Sequence, residues 1–325
     1  MKGYKAFEKG MICRGKQYAE NTVFEEEKAE ICKSGMHFCK NPLDVLDYYP
    51  LVDNNGNMPE FAEVEALDEV VTDDNKKFAT KKMRVGAKLN LLGFIKASLE
   101  VTRHEIETEA KNKKKDDLIK AGGNGSTLAG GNWSTLAGGN WSKLAGGDWS
   151  TLAGGDWSKL AGGNGSKLAG GNGSKLAGGD RSTLAGGDWS TLAGGDWSTL
   201  AGGNGSKLAG GNWSKLAGGD RSTLAGGDRS TLAGGNWSTL AGGNWSKLAG
   251  GDESTLAGGK HSIMVGDNGS VAKGKIGSLI VLVERELKDN EYIIKNFGAV
   301  MVDGERIKED TFYKLENGEF VEVAE

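Results

Sequence analysis

The stretch AGGNWSTLAGGNWSKL, residues 233–248, contains two consecutive copies of an eight-residue motif. The motif reads A-G-G-[N/D]-x-S-[T/K]-L, and we number its positions one to eight from the Ala. It recurs seventeen times without a break from Ala121 to Leu256, and three degenerate copies extend the block to about Ile280. A fixed period sustained over this length predicts a repeat architecture.

A period of eight favours strands over helices. An apolar helical stripe recurs every 3.5 to 3.6 residues, and each Gly weakens a helix by roughly 1 kcal/mol. In a strand, alternate side chains point to opposite faces, so Ser at position six and Leu at position eight share one face. Because Leu is the large apolar residue of every copy, we expect its face to be buried and Thr or Lys at position seven to face solvent. The Gly pair is expected to form the corner at positive φ.

Two such strands and two corners predict a flattened coil of 16 residues, and twenty octads predict about ten coils stacked about 4.8 Å apart. The expected fold is therefore mainly β: a β-solenoid with a small α+β domain before it and a β cap after it. The expected boundaries are 1–102 for the α+β domain, 103–120 for a charged helical linker that also caps the first coil, 121–280 for the solenoid and 281–325 for the C-terminal cap.

The segment GDWSTLAGG resembles the octad of bacterial ice nucleation proteins, whose octads pair into 16-residue β-solenoid coils. The resemblance covers about 160 residues and implies the same architecture. Ice-active coils of that family carry an outward T-x-T pair, whereas the matching triplet here is T-L-A, as in Thr135-Leu136-Ala137. In seven of the seventeen octads the first Thr is Lys. Ice binding is the alternative function that this resemblance implies.

The flanks resemble another group. The segments KGYKAF, CRGKQY and CKSGMHFCKNPLDVLDYYP are similar to an uncharacterised N-terminal domain of phage and mobile-element proteins. That domain often precedes short Gly/Ser/Ala repeats and a C-terminal piece like AVMVDGERIKEDTFYKLENGEF. The resemblance implies a phage or mobile-element setting and brings no catalytic residues with it. A further alternative places a host-defence antagonist or an enzymatic activity in residues 1–102.

Tryptophan is confined to position five, and copies 16 residues apart are expected to stack because they occupy successive coils. The candidate binding face consists of Trp133, Trp141, Trp149, Trp157, Trp189, Trp197, Trp213, Trp237 and Trp245. A secondary ladder at position seven consists of Thr135, Thr151, Thr183, Thr199, Lys143 and Lys159. The rings are either a surface for a protein partner, a sugar or a second copy of the chain, or a shield for the Gly-rich backbone.

Charge and composition limit the classes of partner that the chain is expected to bind. Residues 121–256 carry nine acidic and ten basic side chains, so the rod has no single-sign field and nucleic-acid binding is not favoured. No apolar run is long enough for a membrane span, and the N-terminus carries no apolar signal sequence, so we expect a cytoplasmic protein. We expect no cofactor.

Catalytic signals are weak. Cys13, Cys32, His37 and Cys39 offer four zinc-type ligands, but their spacing lacks a paired knuckle, and a strand over GMHFC is the alternative. The three His are not paired locally with a nucleophile. We therefore predict a non-enzymatic structural and binding protein.

Overall fold

The computed structural model describes residues 1–53, 56–109 and 119–323. Its N-terminal domain is built on an antiparallel seven-stranded sheet in the order β4-β9-β6-β1-β5-β8-β7. The elements of this domain are β1 (Lys2–Phe7), β2 (Ile12–Cys13), β3 (Lys16–Gln17), β4 (Thr22–Glu25), β5 (Met36–Cys39), α1 (Pro42–Val45), β6 (Glu60–Ala66), β7 (Val70–Val71), β8 (Lys77–Thr80), β9 (Lys82–Leu89) and α2 (Leu91–Glu109).

The two helices follow their local sequence. Asn41 caps α1, because its Oδ1 accepts a hydrogen bond from the Leu43 N–H at 3.0 Å, and Pro42 occupies the first turn. The charged helix expected over 103–120 is the second half of α2, which begins earlier, at Leu91. Residues 110–118 of that expected helix lie outside the described residues.

The repeat region forms two parallel sheets of short strands on opposite sides of the rod. One sheet, which we call the open sheet, takes every second strand: β10 (Ile119–Ala121), β12 (Thr135–Ala137), β14 (Thr151–Ala153), β16 (Lys167–Ala169), β18 (Thr183–Ala185), β20 (Thr199–Ala201), β22 (Lys215–Ala217), β24 (Thr231–Ala233), β26 (Lys247–Gly250) and β28 (Ile263–Gly266).

The other sheet, which we call the covered sheet, takes the strands between them. These are β11 (Thr127–Ala129), β13 (Lys143–Ala145), β15 (Lys159–Ala161), β17 (Lys175–Ala177), β19 (Thr191–Gly194), β21 (Lys207–Gly210), β23 (Thr223–Gly226), β25 (Thr239–Gly242), β27 (Thr255–Gly258) and β29 (Val271–Lys273). Each strand pairs in register with the strand 16 residues away, as Leu184 does with Leu200. The predicted solenoid of about ten two-octad coils is confirmed.

The predicted interior is confirmed as well. Every position-eight Leu from Leu128 to Leu256 is at most 6% exposed, and together they form one continuous apolar core. The position-six Ser residues from Ser134 onward are also buried. Many of their hydroxyls donate to the carbonyl oxygen of the Gly three residues earlier, as Ser166 does to Gly163 at 2.7 Å. Bonding to that glycine carbonyl satisfies hydroxyls that would be costly to bury unpaired. Among the described residues from Ser134 onward, seven other buried position-six hydroxyls make no hydrogen bond: those of Ser134, Ser142, Ser150, Ser158, Ser182, Ser190 and Ser198.

The corner is not formed as the sequence suggested. Positive φ occurs at position five, where the Trp residues have φ of 58° to 64°, and the Gly pair has ordinary negative φ. At positions two and three, glycine is required instead because the neighbouring atoms leave no room for a side chain. A Cβ on Gly146 would lie 2.3 Å from Ser150 Oγ, and one on Gly147 would lie 2.0 Å from Asn132 Oδ1. The Gly pair therefore permits close approach to the buried Ser and to the previous coil.

Position four links successive coils. Asn132 Oδ1 accepts from the Asp148 N–H at 2.9 Å, and Asp148 Oδ1 accepts from the Asn164 N–H at 2.8 Å. The same bond recurs between nearly all successive coils of the block. Only one acceptor oxygen is used, and Asn and Asp both supply it, so the two residues are interchangeable at this position.

The N-terminal domain lies along the side of the rod, over the covered sheet. Helix α2 contacts β11, β13, β15, β17, β19 and β21. Leu43, Leu46 and Phe94 of the domain share one buried cluster with the position-one Ala residues Ala177 and Ala193 of the covered sheet. The described part of this domain therefore packs along the side of the rod, because the small Ala side chains leave a flat strip for it.

Hydrogen bonds from Lys175, Lys207 and Arg103 fix the domain in place, the last from the Arg103 guanidinium to the Gly146 carbonyl oxygen at 2.9 Å. Lys175 of the covered sheet pairs with Asp44 at 2.7 Å and with Asp47 at 2.9 Å. Lys207 Nζ donates to the carbonyl oxygen of Leu46, and burial lowers the pKa of this amine. On the covered sheet, position seven is thus part of an interface, whereas the sequence predicted a solvated position throughout.

The C-terminal segment extends both sheets and closes the base of the core. Its strands are β30 (Leu279–Lys288), β31 (Glu291–Met301), β32 (Tyr313–Glu316) and β33 (Glu319–Glu322). The open sheet ends in the order β28-β30-β31 and the covered sheet in the order β29-β32-β33. Val302, Ile307 and Tyr313 join the Leu core. The predicted β cap is confirmed.

Neither helix described here combines the length and apolar character required to cross a bilayer.

Candidate functional site

All nine tryptophans are exposed, between 42% and 70% of each side chain. Position five lies at the corners, so the rings form two rows on opposite edges of the rod. The first edge, before the open-sheet strands, holds Trp133, Trp149, Trp197, Trp213 and Trp245. The second edge, before the covered-sheet strands, holds Trp141, Trp157, Trp189 and Trp237. The tryptophans therefore lie along two edges of the rod rather than on one face.

The predicted stacking of residues 16 apart is confirmed for three pairs. Ring centroids are 5.7 Å apart for Trp133 and Trp149, 5.6 Å for Trp141 and Trp157, and 5.0 Å for Trp197 and Trp213, with interplanar angles of at most 12°. Each such pair contributes about 0.5–1.5 kcal/mol. Stacking therefore holds the rings in fixed orientations although they are exposed to water.

Each ring leans over position five of the next coil, which explains the Gly interruptions. A Cβ on Gly165 would lie 2.7 Å from the Trp149 ring, and one on Gly173 would lie 2.6 Å from the Trp157 ring. Gly205 stands in the same relation to Trp189. These three glycines at position five therefore provide the space into which the rings of Trp149, Trp157 and Trp189 tilt.

On the first edge, ring-stacking and cation–π contacts recur between Trp197 and His261. The Arg229 guanidinium lies 4.6 Å from the Trp213 ring, a cation–π contact. Trp245 and His261 follow, with their centroids 4.5 Å apart. We call Trp197, Trp213, Arg229, Trp245 and His261 the aromatic ridge.

A groove lies on each side of this ridge. The groove toward the open sheet has a volume of about 720 Å³, and the second groove has a volume of about 600 Å³. Besides ridge residues, the first groove is lined by Thr199, Lys215, Thr231 and Lys247, and the second by Asp196, Asn212, Asp228, Asn244 and Lys260. The ridge thus separates a surface of hydroxyls and amines from one of amides and carboxylates.

The structure divides the predicted secondary ladder between two environments. Thr135, Thr151, Thr183 and Thr199 are exposed on the open sheet, in line with the first edge. Lys143 and Lys159 are on the covered sheet, where α2 packs, and are only partly exposed. The six residues therefore do not form one surface.

The open sheet presents a regular outer face. Its position-seven residues are exposed on every coil from β12 to β28, and its position-one Ala residues are exposed from Ala137 to Ala249. On the covered sheet the corresponding Ala residues, from Ala145 to Ala257, are buried. The same octad sequence therefore has one free face and one occupied face. The sequence carries little signal of this difference.

The N-terminal cysteines and His37 make separate contacts and do not form one shared site. Cys13 Sγ contacts the Tyr49 hydroxyl at 2.8 Å, and His37 Nε2 accepts from the Cys32 N–H at 3.0 Å. Burial raises the pKa of Cys39 to about 12, so without a bound metal it is a thiol. Within the described parts of the chain, no three His, Cys, Asp or Glu side chains come together as a metal site. The zinc hypothesis is not supported by this geometry.

One buried amine lies beside these residues. Lys5 is 4% exposed, its Nζ donates to the His37 carbonyl oxygen at 2.9 Å, and burial lowers its pKa. The adjoining cavity, lined by Lys5, His37, Cys39 and aromatic side chains, has a volume of about 40 Å³. That volume is close to that of one water molecule, about 30 Å³.

Comparison with known proteins finds a match for the N-terminal part of the chain alone. Residues 1–97 match the model of a domain of unknown function, DUF7666. No curated protein and no solved structure matches the chain. The match covers less than a third of the 325 residues, and it leaves the solenoid to be interpreted from its own geometry.

Proposed function

We propose that the chain is a non-enzymatic binding scaffold, whose solenoid binds a protein partner along the open sheet and the first edge. The observation that carries this proposal is the contrast between the two faces of the rod. The outer face of the covered sheet is buried beneath the N-terminal domain, while the open sheet and nine partly exposed tryptophans face solvent. Trp is highly buried on average in folded proteins, so rows of exposed Trp indicate an interaction surface.

The chemistry of the ridge suits a protein surface. Trp and Arg are the residues most enriched at interface hot spots. In the ridge their orientations are already fixed by stacking on Trp213, so little side-chain entropy is lost on binding. The grooves supply amines on one side and carboxylates on the other, which favours a partner of mixed charge over a polyanion.

We expect the double variant Trp197→Ser/Trp213→Ser to lose most binding to the partner captured by the wild-type chain. Each hot-spot Trp contributes at least about 2 kcal/mol, so affinity should fall by at least about a hundredfold. The measurement is capture from a lysate of the native host, followed by titration with the identified partner.

The matched control is Trp141→Ser/Trp157→Ser, which removes an equally stacked pair from the second edge. This control should bind as the wild type does, because it leaves the ridge intact. Equal loss in both variants would indicate a general effect on the rod, and unchanged binding in the ridge variant would refute the proposal.

Ice binding is the second candidate. Thr135 and Thr151, and likewise Thr183 and Thr199, are adjacent in register on the flat open sheet, which is an arrangement suited to ordering water. Lys167, Lys215 and Lys247 interrupt this row. Ice shaping by the wild-type chain, abolished by Thr→Lys changes on the open sheet and unaffected by the Trp variants, would favour this candidate over the first.

The biological setting is part of the proposal. We propose a phage or mobile-element setting from the sequence resemblance of the flanks alone, and a cytoplasmic location, which accords with three free cysteines. In such a setting, the N-terminal domain would position the rod and the open sheet would engage the partner.

A further inference from the structure

The open sheet ends in an unusual edge strand. β31 is eleven residues long, and it pairs with β30 along one side only. None of the described residues hydrogen-bonds to its other side through the backbone. An unpaired strand edge is a template for another strand, and proteins normally shorten it, charge it, bend it or cover it.

The other ends of the two solenoid sheets show such protection. β10, at the opposite end of the open sheet, is three residues long. β33, at the end of the covered sheet, is four residues long and carries Glu319 and Glu322. By contrast, β31 has no Pro and only two charged residues, Glu291 and Lys295, and its pairing with β30 shifts register once, at Lys295. It is therefore the long and weakly charged edge of the rod.

The side chains of this hairpin are exposed and apolar. Phe297 is 75% exposed, Tyr292 68%, Leu287 60%, Ile294 55% and Met301 50%. Such a contiguous group on a monomer marks an interaction site. The apolar character continues onto the last coils of the open sheet, where Ile263 and Val265 replace the usual Lys or Thr and Ala.

We propose that β31 pairs antiparallel with β31 of a second copy of this chain, which joins two rods end to end through one continuous sheet. A two-fold axis makes such an interface self-complementary. With the axis at Asn296 all eleven residues are paired, and with the axis at Ile293 Glu291 lies opposite Lys295 of the second copy. Neither register places like charges opposite each other, and the exposed aromatic residues pack across the junction.

This proposal is independent of the ridge, because it uses a different end and a different surface of the rod. The wild-type chain should sediment at twice its 34.2 kDa mass at high concentration. The variant Ile294→Lys/Phe297→Lys should be monomeric, with dimer affinity lowered at least about tenfold, because two charged side chains on each copy would be desolvated at the junction. Both residues are exposed, so the fold should be retained.

The control is Trp133→Lys, an equally exposed aromatic residue at the other end of the rod, which should leave the dimer unchanged. Hydrogen exchange should show β31 amides protected in the wild type and exchanging rapidly in the double Lys variant, while the Leu strands stay protected in both. A wild type that is monomeric at every concentration would overturn the proposal. So would a dimer that survives the double Lys variant and dissociates in Trp197→Ser/Trp213→Ser, since the contact would then lie on the rod face.

Discussion

Replacing Lys175 by Met is expected to loosen the N-terminal domain from the rod at a cost of roughly 3–5 kcal/mol. The side chain of Asp44 is 6% exposed, and Lys175 lies 2.7 Å from it. Removing one member of a buried pair leaves the other charge buried without compensation, which is far more costly than the pair is stabilising. Met retains the apolar part of the Lys side chain, so the lost stability can be attributed to the ammonium group. The change in the free energy of unfolding is measured by urea unfolding followed at the N-terminal domain.

Lys167→Met is the matched control. Its octad, AGGNGSKL, is identical to that of Lys175, but Lys167 lies on the open sheet and is exposed. Its replacement should change the free energy of unfolding by no more than about 0.5 kcal/mol. Equal effects of the two substitutions would contradict the assignment of the covered face. In the background Asp44→Asn, the Lys175 substitution should cost much less, because the buried charge is then absent.

The pH dependence of the Lys175–Asp44 ion pair follows from the titration of the Lys175 amine. Burial lowers the pKa of Lys175, but the neighbouring Asp44 and Asp47 carboxylates outweigh burial and raise it above 10.5. A raised pKa in the folded state stabilises the protein below the unfolded pKa, and the contribution is lost as the pH rises through the folded pKa. The amine's contribution should therefore be full at neutral pH and disappear only above about pH 10.5.

Gly187→Ala is expected to destabilise the rod by about 3 kcal/mol. A Cβ at this position would lie 2.1 Å from Asn172 Oδ1 and 2.9 Å from the Asn172 backbone nitrogen. Overpacking of this kind costs about 1–3 kcal/mol. Displacement of the Asn172 side chain would also break its hydrogen bond from the Asp188 N–H, worth about 1 kcal/mol. Thermal unfolding followed by circular dichroism measures the change.

Ala185→Ser, two residues away, adds one heavy atom on the exposed side of the open sheet and should be nearly neutral. Gly123→Ala provides a second comparison, since no described atom lies within 4 Å of a Cβ built there. If Gly123→Ala destabilised the rod as much as Gly187→Ala, while Ala185→Ser stayed neutral, glycine at position three would serve backbone freedom rather than close packing.

The periodic part of the fold was predictable because one constraint repeats. An octad with Leu at a fixed position allows few folds, and two octads per coil place Leu200 over Leu184 without further information. The stacking of Trp197 on Trp213 follows from the same spacing. These features depend on nearest neighbours, which is why a repeat sequence specifies them.

The features that depend on non-repeating contacts were not predictable. Ala185 and Ala193 have the same local sequence, yet one is exposed and the other is buried, because only the second meets the N-terminal domain. The corner at Trp197 was also mispredicted. Gly is the usual residue at positive φ, but here the Gly pair is needed for space, and the left-handed residue is the Trp.

Disulfide trapping tests the central claim most directly, namely that residues 16 apart lie side by side in one sheet. In a Cys32→Ser background, Thr183→Cys/Thr199→Cys places two thiols on adjacent paired strands of the open sheet, where Cα atoms are within disulfide reach. Thr183→Cys/Thr191→Cys places them eight residues apart, on opposite sheets. We predict rapid oxidation within single chains of the first variant and none in the second. Bond formation at the eight-residue spacing, or failure at sixteen, would contradict the account.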